Sequence, residues 1–228
     1  MSGDPLLSGL NRRIDHTLLK PEAGAKDIRR LCDEALQYHF HAVCVNPVWV
    51  RQASDWLTGS DVVVVAVAGF PIGANRTDIK VAEACASAED GATEIDMVAQ
   101  IGLLRDGQMA EVEADIRKVR RNLPEPVMLK VILEVGLLTA EQMGSGVECC
   151  VNAGAEYVKT STGFFGPCTA VQVGWLSRCS AGRIGVKASG GIRTLEHARL
   201  MIEAGAGRLG TSAGVTIMQE LARLGPAE

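Results

Sequence analysis

Aromatic residues make up only 4% of this chain, and lysine is scarce, with seven among 23 basic residues. The shortage of rings excludes an aromatic core, so a hydrophobic content of 47% must be met mainly by Val, Leu, Ile and Ala. Long apolar runs are missing too. The longest, Val62 to Phe70, falls well short of the ~20 residues that cross a bilayer. No basic run appears and the formal net charge is −4, which argues against a nucleic-acid surface. Met1-Ser2-Gly3-Asp4-Pro5 lacks the basic-then-apolar shape of a secretion signal. Seven cysteines are scattered without metal-ligand spacing, and adjacent Cys149 and Cys150 make no ready bridge. A cytoplasmic protein with reduced thiols is the expectation.

What is present alternates. Short aliphatic runs at 14–19, 42–45, 62–68, 94–98, 128–133, 157–160, 185–188 and 208–211 read as strands, several of them continuous enough to be covered on both faces. Helical stripes fill the gaps, such as Ile28, Leu31, Cys32, Ala35 and Leu36, or Val112, Ile116 and Val119. Thr139 with Gln142 forms a capping-box pattern, Thr194 is a second candidate cap, and Gly154, Gly182 and Gly205 fall where helices should stop. Eight such units predict an α/β fold, a closed (β/α)8 TIM barrel, in preference to an open doubly wound sheet. No linker divides the chain, so residues 1–228 are expected to form a single catalytic barrel domain. Residues 1–12 form an N-terminal extension, a short helix beneath the barrel.

Chemistry is expected at the C-terminal ends of the strands. Two apolar stretches end in lysine: Tyr157-Val158-Lys159-Thr160-Ser161-Thr162-Gly163 and Gly185-Val186-Lys187-Ala188-Ser189-Gly190-Gly191. Lysine seldom sits inside a short strand unless paired or reactive. One strand-plus-helix unit separates the two, which predicts adjacent strands. One ammonium beside another lowers the pKa of both, and a neutral lysine attacks carbonyls. Asp96, in Glu94-Ile95-Asp96-Met97-Val98, reads either as a structural ion pair with Lys130 or Lys187 or as a proton shuttle for an adjacent imine. Lys130 reads as structural, paired with Asp96 or Glu134. Glycine-bearing turns at Ser189-Gly190-Gly191 and Gly210-Thr211-Ser212-Ala213-Gly214 offer backbone N–H groups to a phosphate, or simply make tight turns. Cys44 reads as packing. His16 reads as hydrogen-bonded structure, His39, His41 and His197 as surface or packing residues, and no metal or other cofactor is assigned.

Five motifs stand in one order along the chain: Ile14-Asp15-His16-Thr17-Leu18-Leu19-Lys20-Pro21, Gly69-Phe70-Pro71-Ile72-Gly73, Glu94 to Val98, Val158 to Phe164, and Val186 to Arg193. In that order they resemble deoxyribose-phosphate aldolase. The resemblance implies a class I, metal-free aldolase that cleaves 2-deoxy-D-ribose 5-phosphate to acetaldehyde and D-glyceraldehyde 3-phosphate. It makes Lys159 the Schiff-base lysine, Lys187 the residue that lowers its pKa, and Asp96 an acid and base working with water. It puts Asp15, Thr17, Cys44 and Thr162 around the sugar, and Gly163, Gly190, Gly191, Gly210 and Ser212 around the phosphate. Partners are then a small sugar phosphate and aldehydes, with no nucleic acid and no membrane, and a homodimer or higher homo-oligomer is compatible with the chain. Readings left open are an imine-forming barrel aldolase for another sugar phosphate or keto acid, and a non-catalytic sugar-phosphate-binding barrel.

The chain departs from the family pattern at Phe164, where some members carry a lysine, and at Ala213, where a serine is common. Its final residues, Leu224 to Glu228, carry no tyrosine, which some members have there. Phe164 and Ala213 imply a weaker hold on phosphate or a broader acceptance of non-phosphorylated aldehydes, and the missing tyrosine puts any tyrosine-assisted proton transfer in question. Because the implied mechanism needs no metal, turnover measured in excess EDTA should equal that in its absence. A loss restored by added divalent metal would overturn the class I reading.

Overall fold

A computed structural model describes residues 5–224. Eight parallel strands close into a barrel in sequence order: β1 (Ile14–Leu18), β2 (Ala42–Val45), β3 (Val63–Ala68), β4 (Glu94–Val98), β5 (Met128–Ile132), β6 (Tyr157–Lys159), β7 (Gly185–Ser189) and β8 (Arg208–Thr211). The TIM barrel expected from the alternating pattern is the fold observed. Strand ends differ from the sequence reading by a residue at most, as at β5, which stops at Ile132.

Around the barrel run α1 (Ala25–Tyr38), α2 (Val50–Leu57), α3 (Thr77–Glu89), α4 (Ile101–Arg105), α5 (Met109–Asn122), α6 (Ala140–Ala153), α7 (Ala170–Ser180), α8 (Leu195–Glu203) and α9 (Gly214–Arg223). The predicted stripes face inward, with Ile28, Leu31, Cys32, Ala35, Val112, Ile116 and Val119 all buried. Thr139 accepts the Gln142 N–H at 3.2 Å and Gln142 Oε1 accepts the Thr139 N–H at 2.9 Å, completing the predicted box. Gly154 caps α6 in the left-handed region, whereas Gly182 and Gly205 each follow the capping residue by one position. Of the N-terminal extension, residues 1–4 lie outside the described residues. Pro5–Leu7 and Leu10–Arg13 are short 3-10 turns, and Leu7 and Leu10 are buried in the core. Residues 225–228, most of the tyrosine-free tail, also lie outside the described residues.

Period-two alternation divides the strands into two environments. Outward residues such as Val43, Val64, Ile95, Leu129, Val158, Val186 and Leu209 join the helix stripes in the main apolar core. Inward residues form only small apolar groups, Ala42, Cys44, Val65 and Val67 on one side and Val98 with Ile132 on another. The charged strand residues Asp15, Glu94, Asp96, Lys130, Lys159, Lys187 and Arg208 share this inward face, together with Thr17, Tyr157 and Ser189. β2 and β3 are apolar on both faces, β3 as its run of valines suggests.

One buried ion pair lies outside the barrel interior and was not singled out in the sequence. Lys80 on α3 is fully buried; its Nζ donates to Asp115 Oδ2 on α5 at 2.8 Å and to the Val98 carbonyl at the end of β4 at 2.9 Å. Its stem also packs where a Cβ on Gly69 would stand, 3.0 Å from Lys80 Cε. Lys80 therefore ties α3, α5, the end of β4 and the Gly69–Gly73 loop together. Truncating one partner strands the other as a buried charge, so Lys80→Met should lower unfolding stability by ~3–5 kcal/mol in urea titration. Lys80→Met with Asp115→Leu should recover most of that loss.

Candidate active site

Strand register carries the two lysines to one place. Lys159 of β6 pairs directly with Lys187 of β7. Both ammonium groups donate to the same oxygen, Asp96 Oδ2 on β4, at 2.8 Å and 2.7 Å. The other oxygen, Oδ1, accepts from Lys130 Nζ of β5 at 2.8 Å. Asp96 is thus fully buried beneath three ammonium groups. Burial alone would raise its pKa, but Lys130, Lys159 and Lys187 outweigh that and hold it well below the ordinary carboxylate range.

A second layer of charge lies below. Lys187 Nζ also donates to Asp15 Oδ2 on β1. Arg208 of β8 donates to Asp15 Oδ1 at 2.7 Å and to Glu94 at 3.3 Å, while Lys130 reaches Glu94 Oε2 at 2.6 Å. The expectation that each lysine depresses the other fails for Lys187. Burial would push its pKa down, yet Asp15 and Asp96 raise it above the ordinary value. Lys187 is a fixed cation. Lys130 pairs with Asp96, one of its two expected partners. Glu134, the other, instead accepts the Thr162 N–H at 2.9 Å and the Thr162 hydroxyl at 2.5 Å.

Lys159 is 3% exposed and opens onto a cleft of about 260 Å³ at the C-terminal end of the barrel. Thr17, Thr162, Gly163, Gly190, Gly191, Gly210 and Ser212, all expected around substrate, line this cleft with it. Asp15, Cys44, Asp96 and Lys187 lie under it in the interior, each 0% exposed. Cys44 packs against Ala42, Val65 and Val67, and burial, then Asp96, pushes its thiol up to about 11, which fits packing better than nucleophilic attack. His16 bonds Glu34 at 2.7 Å, the structural role expected for it.

The glycine turns are shaped by crowding. Gly191 has φ +77, and a Cβ there would sit 2.5 Å from Pro167 Cβ. A Cβ on Gly210 would press Lys187 Cε at 3.2 Å. Hydroxyl groups fix the strand ends around them: Ser189 Oγ donates to the Ser161 carbonyl at 2.5 Å, and Thr160 Oγ1 to the Ser189 carbonyl at 3.0 Å. Only the second turn runs straight into a helix, α9 at Gly214. At α8 the Leu195 N–H is taken by Glu220 Oε2 at 2.6 Å, and the predicted Thr194 cap accepts from His197 N at 3.2 Å.

Lys20 and Arg193 also line the cleft and are exposed, and neither was assigned a role from the sequence. Both sit inside quoted motifs, and for Arg193 a cation two residues after Gly191 is the available signal. Phe164 reaches the cleft as well and meets the edge of Phe70 with ring centroids 5.4 Å apart, joining the Gly69–Gly73 loop to the rim.

His39 and His41 have the HxH spacing of some metal sites, but His39 is exposed and, among the described residues, only His41 joins a group of potential ligands. His39 ends α1 in the left-handed region, and His41 Nε2 lies 3.1 Å from Glu94 Oε1. Asp15, His41 and Glu94 bring ligand atoms within 4.8 Å of one another. Their carboxylates already accept from Arg208, Lys130 and Lys187, so the charge a cation would supply is present.

The family model described as DeoC/LacD family aldolase matches residues 12–220. A deoxyribose-phosphate aldolase of Deinococcus radiodurans is 53% identical over 206 residues, covering 90% of this chain and 93% of that protein. A solved structure described as QR15, an aldolase, superposes with a TM-score of 0.89 at 40% identity, covering 93% of this chain and 96% of the other. The deoxyribose phosphate aldolase of Aeropyrum pernix, described as a unique tetramer, gives 0.85 at 35% identity over 94% and 92%. With its paired lysines inside a closed barrel beneath the cleft and a family match spanning nearly all of its length, this chain belongs to the DeoC/LacD family of aldolases.

Proposed function

We propose that the protein reversibly cleaves 2-deoxy-D-ribose 5-phosphate to acetaldehyde and D-glyceraldehyde 3-phosphate through an imine on Lys159. The observation that carries this reading is the meeting of Lys159 and Lys187 on one oxygen of Asp96, with Lys159 alone of the two facing the cleft. Lys159 Nζ attacks the C1 aldehyde, and loss of water from the carbinolamine gives a protonated imine. Asp96 lies one hydrogen bond from that nitrogen and exchanges protons with it through water. The C3 hydroxyl then passes its proton to water in the cleft, which later returns one to C2, and the C2–C3 bond breaks. The electron pair passes into the imine as a neutral enamine, and D-glyceraldehyde 3-phosphate leaves. Protonation at C2 and hydrolysis release acetaldehyde and restore the amine. Covalent attachment replaces a bare carbanion by an enamine, which is the gain of the imine route.

Lys187 serves as the permanent cation that keeps Asp96 ionised and in place. Thr17 and Thr162 face the sugar hydroxyls, with Thr162 held by Glu134. Asp15 and Cys44 support the pocket from below. The phosphate rests against Gly163, Gly190, Gly191, Gly210 and Ser212, with Arg193 and Lys20 supplying the charge that Phe164 does not. Seven unbridged thiols fit a reducing cytoplasm, and no described helix is long and apolar enough to cross a membrane. A homo-oligomer is part of this reading, in line with the tetrameric relative, and light scattering of the purified protein tests it.

Borohydride reduction in the presence of acetaldehyde should add an N-ethyl group to Lys159, read by peptide mass spectrometry. No adduct in the wild type, or undiminished labelling in Lys159→Leu, would sink the imine. Lys187→Leu should fold and lose roughly 10²–10⁴-fold in kcat, the scale of a positioned proton-transfer system. A rate near wild type would remove Lys187 from the mechanism. Arg193→Ala should cut kcat/KM for deoxyribose 5-phosphate by roughly 10- to 100-fold while leaving the unphosphorylated sugar little changed, the scale of a charged hydrogen bond.

A further inference from the structure

Beneath the cleft, four cations and three carboxylates form one connected network. Lys187 and Arg208 each pair with two carboxylates and Lys130 with three, Glu94, Asp96 and, at 3.9 Å, Asp15. Lys159 differs: among the described residues its one carboxylate partner is Asp96, and it alone of the four lines the cleft. With every group ionised the network carries one positive charge in excess. Release of a single proton balances it, and the cation with the fewest anchors and access to solvent is Lys159.

Glu94 supplies one of the three negative charges, yet it touches nothing that substrate can reach. It lies two residues before Asp96 on the same strand, so the pleat places it on the same inward face one layer down. Its partners are Lys130, Arg208 and His41. We infer that Glu94, with Arg208 as its counter-charge, is a positioning residue that sets the pH at which Lys159 captures a carbonyl. This rests on the imine reading of Lys159 and extends it to a layer that has no contact with the cleft.

The other groups facing this interior are fixed contributors. From β1 comes Asp15, from β2 Cys44 with His41 just before it, and β3 presents only valines. Beside Lys159 on β6, Tyr157 stacks against the Arg208 guanidinium at 5.7 Å. Beyond β5, Glu134 is engaged with Thr162 and stands apart from the network. Lys20 and Arg193 lie at the rim. Burial opposes charge on Glu94 and Arg208, but their neighbours hold Glu94 below and Arg208 above its ordinary pKa. Both stay ionised across the range in which imines form.

A charge deleted from this layer therefore moves the titration of the reactive amine in a direction given by its sign. Loss of a negative charge favours the neutral amine, and loss of a positive charge favours the ammonium. One unit charge roughly 10 Å away in a medium of effective dielectric near 20 shifts a titration by about one pH unit.

The test is the rate of N-ethylation of Lys159 by acetaldehyde and cyanoborohydride, followed by mass spectrometry across pH in the intact protein. The midpoint in Glu94→Gln should fall by about one unit, and in Arg208→Gln it should rise by a similar amount. Glu94→Asp and Arg208→Lys keep the charge and should keep the wild-type midpoint. A merely structural role predicts lower stability in all four variants with no opposed shifts. Midpoints that stay put, or that move in the same direction in the two glutamine variants, overturn the inference. Should one glutamine variant fail to fold, the sign of the shift in the other, against its charge-keeping partner, decides. A wild type that traps nothing on Lys159 overturns the imine reading itself; normal trapping with unmoved midpoints overturns only the role of Glu94.

Discussion

The Asp96 carboxylate is the constraint around which the barrel interior is arranged. A carboxylate with no exposure is costly unless its lone pairs are filled and its charge is matched. Here one oxygen serves Lys130 and the other serves both Lys159 and Lys187. Those bonds require three lysines from three consecutive strands to converge on a fourth strand, which fixes the register of β4 to β7. The excess of positive charge around Asp96 then has to be met one layer down, by Asp15 and Glu94. Each added carboxylate is itself buried, and Arg208 answers both. Burial of one charge thus propagates as alternating partners toward the other end of the barrel.

Such an interior contributes little net stability for its volume, because well-packed apolar residues would do at least as well as paired ions. Stability has to come from the outer layer, where the outward faces of the strands meet the helix stripes in one continuous aliphatic core. The low aromatic content suits this geometry. Branched aliphatic side chains fill the even spacing between strands and helices and leave the interior free for long, charged side chains. Fold and chemistry therefore occupy opposite faces of the same strands, and a change of one residue in register would exchange them.

This division explains what was legible in the sequence. Strand positions, the closed barrel, the Thr139 box and the inward pairing of Lys159 with Lys187 all follow from patterns of period and spacing, which local geometry enforces. Roles for Thr17, Thr162 and Gly163 follow from the family motifs, whereas the turns at Gly190-Gly191 and Gly210–Ser212 are marked by glycine after the last two strands. Partner choice was less accessible. Lys130 was assigned to either of two carboxylates, and Glu94, its second partner, was not considered, because which of several acids a lysine meets depends on barrel stagger and side-chain direction. The raised pKa of Lys187 is hidden in the sequence for the same reason: a neighbouring ammonium is visible in a motif, whereas Asp15, far away at the other end of the chain, is not. Arg193 closes a quoted motif, while Lys80 lies in a helix outside every motif and nothing in the local pattern marks its partner Asp115.

Net charge was the least informative quantity for the site. An overall value of −4 coexists with an interior carrying surplus positive charge and a rim that presents Lys20 and Arg193. The acidic surplus belongs to helix surfaces, where pairs such as Arg199 with Glu196 and Glu203 are solvated and contribute little. In the low-dielectric interior the same unit of charge acts over a longer distance and with far less screening. A phosphate-bearing substrate entering this cleft meets the local arrangement before the global one. In the proposed function the anionic group is held at the mouth by exposed cations and backbone N–H groups, and in the inference drawn from the inner layer the aldehyde end descends to an amine whose charge is set by residues it never touches.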